Sequence, residues 1–221
     1  MKVDYHLHLE EGPYSIGWLA KINEALECYE PLQERHSIDW LMKTQERLQK
    51  RVKEGPFTTE WIDLYLEEAV RKGIKEVGIV DHLYRFHEAK GYYEKYVDIS
   101  DSKLGRIQKE WLDQVRVVSL YDFTKAIEEA KERWGKRGVT LKLGIEADYF
   151  IGCEGELKEL LELGDFDYVI GSVHFLNGWG FDNPDTKEYF EVHDLRALYD
   201  MFFKTVESAI RTELFDIIAH L

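Results

Sequence analysis

Two different periods of apolar and polar positions run along this chain, and the switches between them mark its elements. Residues 3–9 alternate in the manner of a strand, and a polar turn holding Gly12 follows at 10–12. Residues 16–30 carry Ile16, Leu19, Ala20, Ile22 and Leu26 at near-helical spacing, behind Ser15 as a candidate N-cap and ahead of Pro31. Ser37 caps a second helix over 38–53, with Trp40, Leu41, Leu48 and Val52 as its stripe, and Gly55-Pro56 breaks it. Thr58 or Thr59 opens a third, with Trp61, Leu64, Tyr65, Ala69 and Val70 on one face and Gly73 at its end.

A short apolar run at 76–82 then reads as a buried parallel strand. Residues 83–119 show no clean period. They predict a long connecting segment with short helical pieces, of the kind used as a lid or a substrate-binding excursion. Beyond it the pattern predicts a helix over 120–137, a strand over 139–146, a short helix over 154–163 and a strand over 167–174. An aromatic, Gly-rich loop at 175–184, a helix over 194–212 and a strand over 214–221 complete the chain. Strands alternating with helices argue an α/β protein with a mostly parallel sheet, and a single domain over 1–221 is the simplest reading.

The polar ends of those strands change the picture. His6 and His8 lie two apart on a strand and so share a face. His82, Glu146, His174 and His220 each stand at the C-terminal end of a later strand. In parallel α/β folds these ends converge on one functional face. Of the eight histidines, five are so placed; His36, His87 and His193 fall in helices or loops. Imidazole and carboxylate donors without a thiolate suit Zn, Mn or Fe. The donors outnumber the needs of one ion, and a Glu is able to bridge two. Ions about 3.5–4 Å apart clamp the oxygens of a displacement and activate water. That chemistry predicts phosphate-ester hydrolysis with a metal-bound water as nucleophile, and no protein side chain as one.

Composition narrows this further. The formal net charge of -14 disfavours a bulk grip on long nucleic acid, yet not a small phosphorylated substrate, because bound cations reverse the local field. The two cysteines form no disulfide framework. No apolar run reaches the roughly 18 residues of a membrane span, and Met-Lys leads directly into a strand, so a soluble cytoplasmic protein without a signal peptide is expected. No nucleophile elbow, P-loop or dinucleotide fingerprint occurs. Arg85, just past His82, is a candidate phosphate contact, and Arg196 a weaker one. Tyr84, Phe86, Trp179 and Phe181 are candidates for a pocket wall.

Tyr5-His6-Leu7-His8, Val80-Asp81-His82, Gly144-Ile145-Glu146, Ile170-Gly171-Ser172-Val173-His174 and Asp216-Ile217-Ile218-Ala219-His220-Leu221 together resemble the motifs of the PHP (polymerase and histidinol phosphatase) domain. Their spacing most resembles the histidinol-phosphate phosphatase branch. The resemblance implies a distorted (β/α)7 barrel with a trinuclear centre. By it, His6, His8 and Glu146 would hold a first ion. Glu146, His174 and His220 would hold a second, and His82 would serve a third. Glu10 and Glu11 are alternatives for a further ligand. The family's late Asp-x-His pair is missing from a chain that stops at Leu221, which predicts a barrel lacking its last elements and a full ligand set only for the second ion.

The expected function is hydrolysis of a small phosphomonoester, foremost L-histidinol phosphate to L-histidinol and phosphate in histidine biosynthesis, with two or three divalent ions. A phosphoesterase of the same fold acting on nucleotides or oligonucleotides is one alternative. A metal-binding protein without catalysis is the other. Oligomeric state is not legible in the sequence.

Overall fold

The computed structural model describes residues 2–9, 21 and 37–221. The predicted helix over 16–30, Ser15, Pro31 and the candidate ligands Glu10 and Glu11 lie outside the described residues, apart from Lys21, which is helical.

Five strands form one parallel sheet: β1 (Lys2–His8), β2 (Ile74–Val80), β3 (Thr140–Asp148), β4 (Tyr168–Ser172) and, after the small hairpin described below, β7 (Ile217–Ile218). Each pairs with the next in chain order. The helices between them are α1 (Ile38–Glu54), α2 (Thr59–Arg71), α3 (Lys90–Tyr96), α4 (Lys103–Val115), α5 (Leu120–Gly135), α6 (Glu154–Leu161) and α7 (Leu195–Arg211). Four of these starts follow one chemistry. Ser37, Thr58, Ser102 and Ser119 each accept, on the side-chain oxygen, the backbone N–H three residues on.

The two faces of the sheet are packed differently. Val77 and Ile79 of β2 and Leu141, Leu143, Ile145 and Ala147 of β3 meet Ile62 and Leu66 of α2 and Phe123, Ile127 and Trp134 of α5 in the main core. Full burial of such side chains contributes roughly 1.5–3 kcal/mol each. The other face carries a small interior cluster of Val80, Tyr168, Ile170 and Ala219 with Tyr5 packed on it. Tyr5 in β1 and Tyr168 in β4 touch edge to face at 5.4 Å, although β2 and β3 lie between them in the sheet. Neighbouring strands stand about 4.8 Å apart, so a flat sheet would hold these strands about 14 Å apart. The sheet is therefore curled, an arc of a barrel. Gly78 and Gly144 make the crossing space. A Cβ on Gly78 would lie 2.9 Å from Tyr5 Cδ1, and one on Gly144 would lie 2.6 Å from Val80 Cγ1 and clash with the edge of the Tyr168 ring.

β1 contains an irregularity that matters for chemistry. Asp4 and Leu7 pair with Val77 and Ile79, so Tyr5 and His6 together oppose the single residue Gly78. This bulge re-aims a side chain: Tyr5 packs on the interior cluster and His6 also turns inward. The His6 N–H, taken out of the ladder, donates to Asp4 Oδ1 at 3.1 Å.

The connecting segment at 83–119 is more ordered than its sequence predicts. It folds as turns of 3-10 helix at Leu83–Arg85 and His87–Ala89 followed by α3 and α4. Tyr92 and Tyr93 are buried in the main core, and their aromatic packing supplies the order that no helical period announces. The loop after β4 holds a hairpin of β5 (Phe175–Leu176) and β6 (Trp179–Gly180), turned by Asn177 and Gly178 at positive φ. Gln108 of α4, 1% exposed, donates to the Gly178 carbonyl at 2.9 Å and accepts from the Gly180 N–H at 2.6 Å. Three predicted helix stripes are displaced. In α2, Ile62 and Leu66 are buried and Val70 is exposed. In α1 the buried residues are Trp40, Thr44 and Arg51, with Leu41 and Val52 exposed; in α7, Leu195, Tyr199 and Ile210 are exposed.

Candidate metal centre

The C-terminal ends of all five strands of the sheet meet over one buried carboxylate. Glu146 lies on the inner face of β3, its side chain wholly buried. Its Oε2 stands 2.9 Å from His6 Nε2, 3.0 Å from His8 Nε2 and 3.4 Å from His82 Nδ1. Its Oε1 stands 3.2 Å from His220 Nε2 and 3.5 Å from His174 Nε2, and accepts a short hydrogen bond from the Ser172 hydroxyl. The six residues singled out by strand-end position are thus brought together.

Each arrives by a local device. His6 owes its direction to the bulge in β1. His82 continues β2 through a bridge to Glu146, with the Glu146 N–H donating to the Asp81 carbonyl at 3.0 Å. His220 follows Ala219, whose side chain is in the interior cluster, and a φ of 58° turns its ring to the same side. The rings pack on one another as well. His8 stacks on His82 at 4.4 Å, and His82 on Tyr84 at 4.6 Å.

His6 Nε2, His8 Nε2 and Glu146 Oε2, the set expected for a first ion, lie within 3.1 Å of one another, and two further groupings overlap with it. His6, Glu146 and His220 form one group with ligating atoms within 4.8 Å, and His8, His82 and Glu146 form another. The curl accounts for the group that includes His220, since it brings the two edge strands together and sets His6 and His220 at 5.3 Å.

Burial alone would raise the Glu146 carboxyl. Hydrogen bonds from His6 and His8, the charge of His82 and the Ser172 hydroxyl outweigh it and hold the group far below the ordinary carboxylate range. His6 is raised, chiefly by its hydrogen bond to Glu146. His82 is pushed well down, chiefly by burial. His174 moves the other way. Burial lowers it, yet Asp148 beside it lifts it to about 9.

A divalent cation fits these residues. Five imidazole nitrogens and a hydroxyl crowd a carboxylate that offers about four lone-pair directions. His8 Nδ1 and His82 Nδ1 are buried without a hydrogen bond. Hydrogen bonding does not account for so many nitrogens at one carboxylate, whereas ions shared among them do.

Arg85 is 2% exposed, with its Nε 3.2 Å from Asp81 Oδ1. It is turned into the protein beside Asp81 rather than extended in a loop. Arg196 is exposed at the start of α7. Of the aromatic candidates, Phe86 is core, Trp179 is buried and stacks on His193, and Tyr84 covers His82.

The sequence reading passed over two residues. Ser172 binds Glu146. Asp148 accepts from His174 Nδ1 at 2.8 Å. Both lie two positions from a chosen residue on the same inner face, and that period-two spacing was the available signal.

A profile of the PHP domain matches residues 58–221. A protein of Deinococcus radiodurans named "Probable histidinol-phosphatase" is 39% identical over 114 residues, 50% of this chain and 44% of its own length. One of Clostridium acetobutylicum with the same name is 29% identical over 143 residues, 61% of this chain and 52% of its own length. The chain spans about half the length of the curated relatives it matches. A crystal structure of histidinol phosphate phosphatase from Lactococcus lactis, complexed with zinc, L-histidinol and phosphate, aligns at 18% identity with a TM-score of 0.36. It covers 51% of this chain and 34% of that one. Among the described residues no helix is long and apolar enough to cross a membrane.

Proposed function

This chain belongs to the PHP domain family, and on that premise we propose that it serves a metal-dependent phosphatase of small phosphomonoesters, with L-histidinol phosphate as the foremost substrate. The observation that carries the reading is the convergence of His6, His8, His82, His174 and His220 on the buried carboxylate of Glu146. The name shared by the two curated relatives supports the choice of substrate.

In this reading the six residues hold two or three divalent ions, with Zn, Mn and Fe the fitting choices. Such ions supply Lewis acidity towards a phosphoryl oxygen and acidify water towards neutral pH. The chain's own contribution is placement. Glu146 presents one oxygen to His6, His8 and His82 and the other to His174 and His220, so its two oxygens would be able to serve different ions. Ser172 fixes the Oε1 side. His82 is buried, with its Nδ1 turned to Glu146 Oε2 at 3.4 Å. Tyr84, stacked on His82, shields that ring from water. Arg85, held by Asp81, supplies fixed positive charge behind His82 that favours an anionic substrate.

The test is a phosphate-release panel on the native polypeptide loaded with Mn or Zn. L-histidinol phosphate is expected to be hydrolysed in preference to nucleotides and phosphodiesters. No release across a metal and pH screen overturns the reading.

A further inference from the structure

Asp148 lies on the inner face of β3, two residues past Glu146 and 2% exposed. Four hydrogen bonds fix it. The His174 N–H donates to its Oδ1 at 3.3 Å, and the Tyr93 hydroxyl donates to its Oδ2 at 2.8 Å. Its own carbonyl accepts from the Tyr92 hydroxyl at 2.7 Å. The fourth is the contact between Oδ1 and His174 Nδ1 at 2.8 Å.

The first two leave no ambiguity about the fourth. A carboxylate already accepting from an N–H and an O–H is an acceptor, so Nδ1 is the donor and carries a proton. The lone pair available for coordination is then on Nε2, which faces Glu146 Oε1. His8 is a contrast: it faces Glu146 through Nε2, and its Nδ1 is buried without a hydrogen bond.

We propose that Asp148 is a positioning residue. It presets His174 in the Nδ1-protonated form with Nε2 aimed into the centre, and it is braced for that task by Tyr93 and Tyr92 of α3. A carboxylate behind a ligand imidazole fixes ring orientation and raises ligand basicity, and loss of such a partner weakens metal binding about 10–100-fold. The brace also gives the ordered part of the 83–119 segment a role. It packs two tyrosines against the residue that aims a ligand.

This inference rests on the reading of the site as a metal centre, and the test separates the two. Metal-free wild type and Asp148→Asn are titrated with Co(II), following the visible ligand-field absorption, and their metal-free melting curves are compared. An amide at 148 either turns its NH2 to Nδ1, forcing the ring proton onto Nε2, or offers a neutral and weaker acceptor. Both make Nε2 a poorer ligand. The expected result is a variant that melts near wild type without metal but binds one ion of the set about 10–100-fold more weakly. Wild-type affinity in a folded Asp148→Asn overturns the inference, as does lowered melting without metal at unchanged affinity, the mark of a merely structural residue. Wild type that binds no Co(II) overturns the metal-centre reading itself. If Asp148→Asn does not fold, Tyr93→Phe carries the test. It keeps the carboxylate and removes one brace, and a few-fold weaker binding is expected; unchanged binding overturns the inference.

Discussion

The Tyr168 hydroxyl in β4 donates to the Tyr5 carbonyl in β1 at 2.7 Å, across an interior floored by the glycines of two intervening strands. This bridge depends on there being no side chain at Gly78 or Gly144. Gly144→Ala puts a methyl where the Tyr168 ring stands, and overpacking of that kind costs about 1–3 kcal/mol. Tyr168→Phe keeps the ring and loses one hydrogen bond, for about 1 kcal/mol. Urea unfolding of the two variants should rank them in that order, and a Gly144→Ala protein as stable as wild type would contradict the curl.

Among the described residues Glu146 is the one that all five imidazoles share, so its replacement should be more damaging to function than loss of any single histidine. Glu146→Gln keeps the shape and removes the charge. Phosphate release is expected to fall by more than about 100-fold, beyond the loss typical of residues that only orient a ligand. Circular dichroism should remain that of the folded protein. Activity within tenfold of wild type would show that the carboxylate is not the hub.

Arg85 and Asp81 form a buried ion pair, with both side chains 2% exposed. Arg85→Met leaves Asp81 buried without its paired guanidinium, and breaking pairs of this sort costs about 3–5 kcal/mol. A clear drop in melting temperature is therefore expected alongside any rise in KM. A rise in KM with unchanged melting would instead make Arg85 a direct phosphate contact that the fold does not need.

Asp167 links three elements away from the centre. It accepts from the Leu143 N–H at 2.7 Å and pairs with Lys131 at 2.7 Å and Lys142 at 3.3 Å. Burial raises its carboxyl, but the bonds from Lys131 and Leu143 outweigh burial and lower it. A lowered folded value stabilises the protein above the unfolded value of about 3.9, and the gain is lost as pH falls through the folded value. The advantage of wild type over Asp167→Asn, on the order of 1 kcal/mol for a part-exposed pair, should be full at pH 6 and shrink below about pH 4. A gap independent of pH would contradict this.

The chemistry was more legible in the sequence than the shape. His6, His8, His82, His174 and His220 could be chosen because a strand end is readable from an apolar run and because histidine is rare. Asp148 escaped because the run was read as ending at Glu146, whereas β3 continues two residues further. The curl was expected through the family resemblance, as part of a barrel, and not from the residue pattern, because its local cause is an absence, the missing side chains of Gly78 and Gly144, which matter only once Tyr168 is known to lie over them. The order in 83–119 escaped for a related reason. Tyr92 and Tyr93 are held by distant partners such as Phe150 and Asp148, which local periodicity does not register. In α7 the predicted stripe included Leu195, Tyr199 and Ile210 because they are apolar, while Thr205 and Ala209 took buried places.

The bulge in β1 has a consequence for how this strand tolerates change. Tyr5 and His6 both stand opposite Gly78, one filling the interior and one reaching the centre. A strand of strict alternation offers one inward place there. Deletion of a single residue between Asp4 and Leu7 would evict either the tyrosine or the imidazole while leaving the pairing on both sides intact. At this point the capacity for chemistry is set by the count of residues as much as by their kinds, so a one-codon deletion should be more damaging than most substitutions along the same strand.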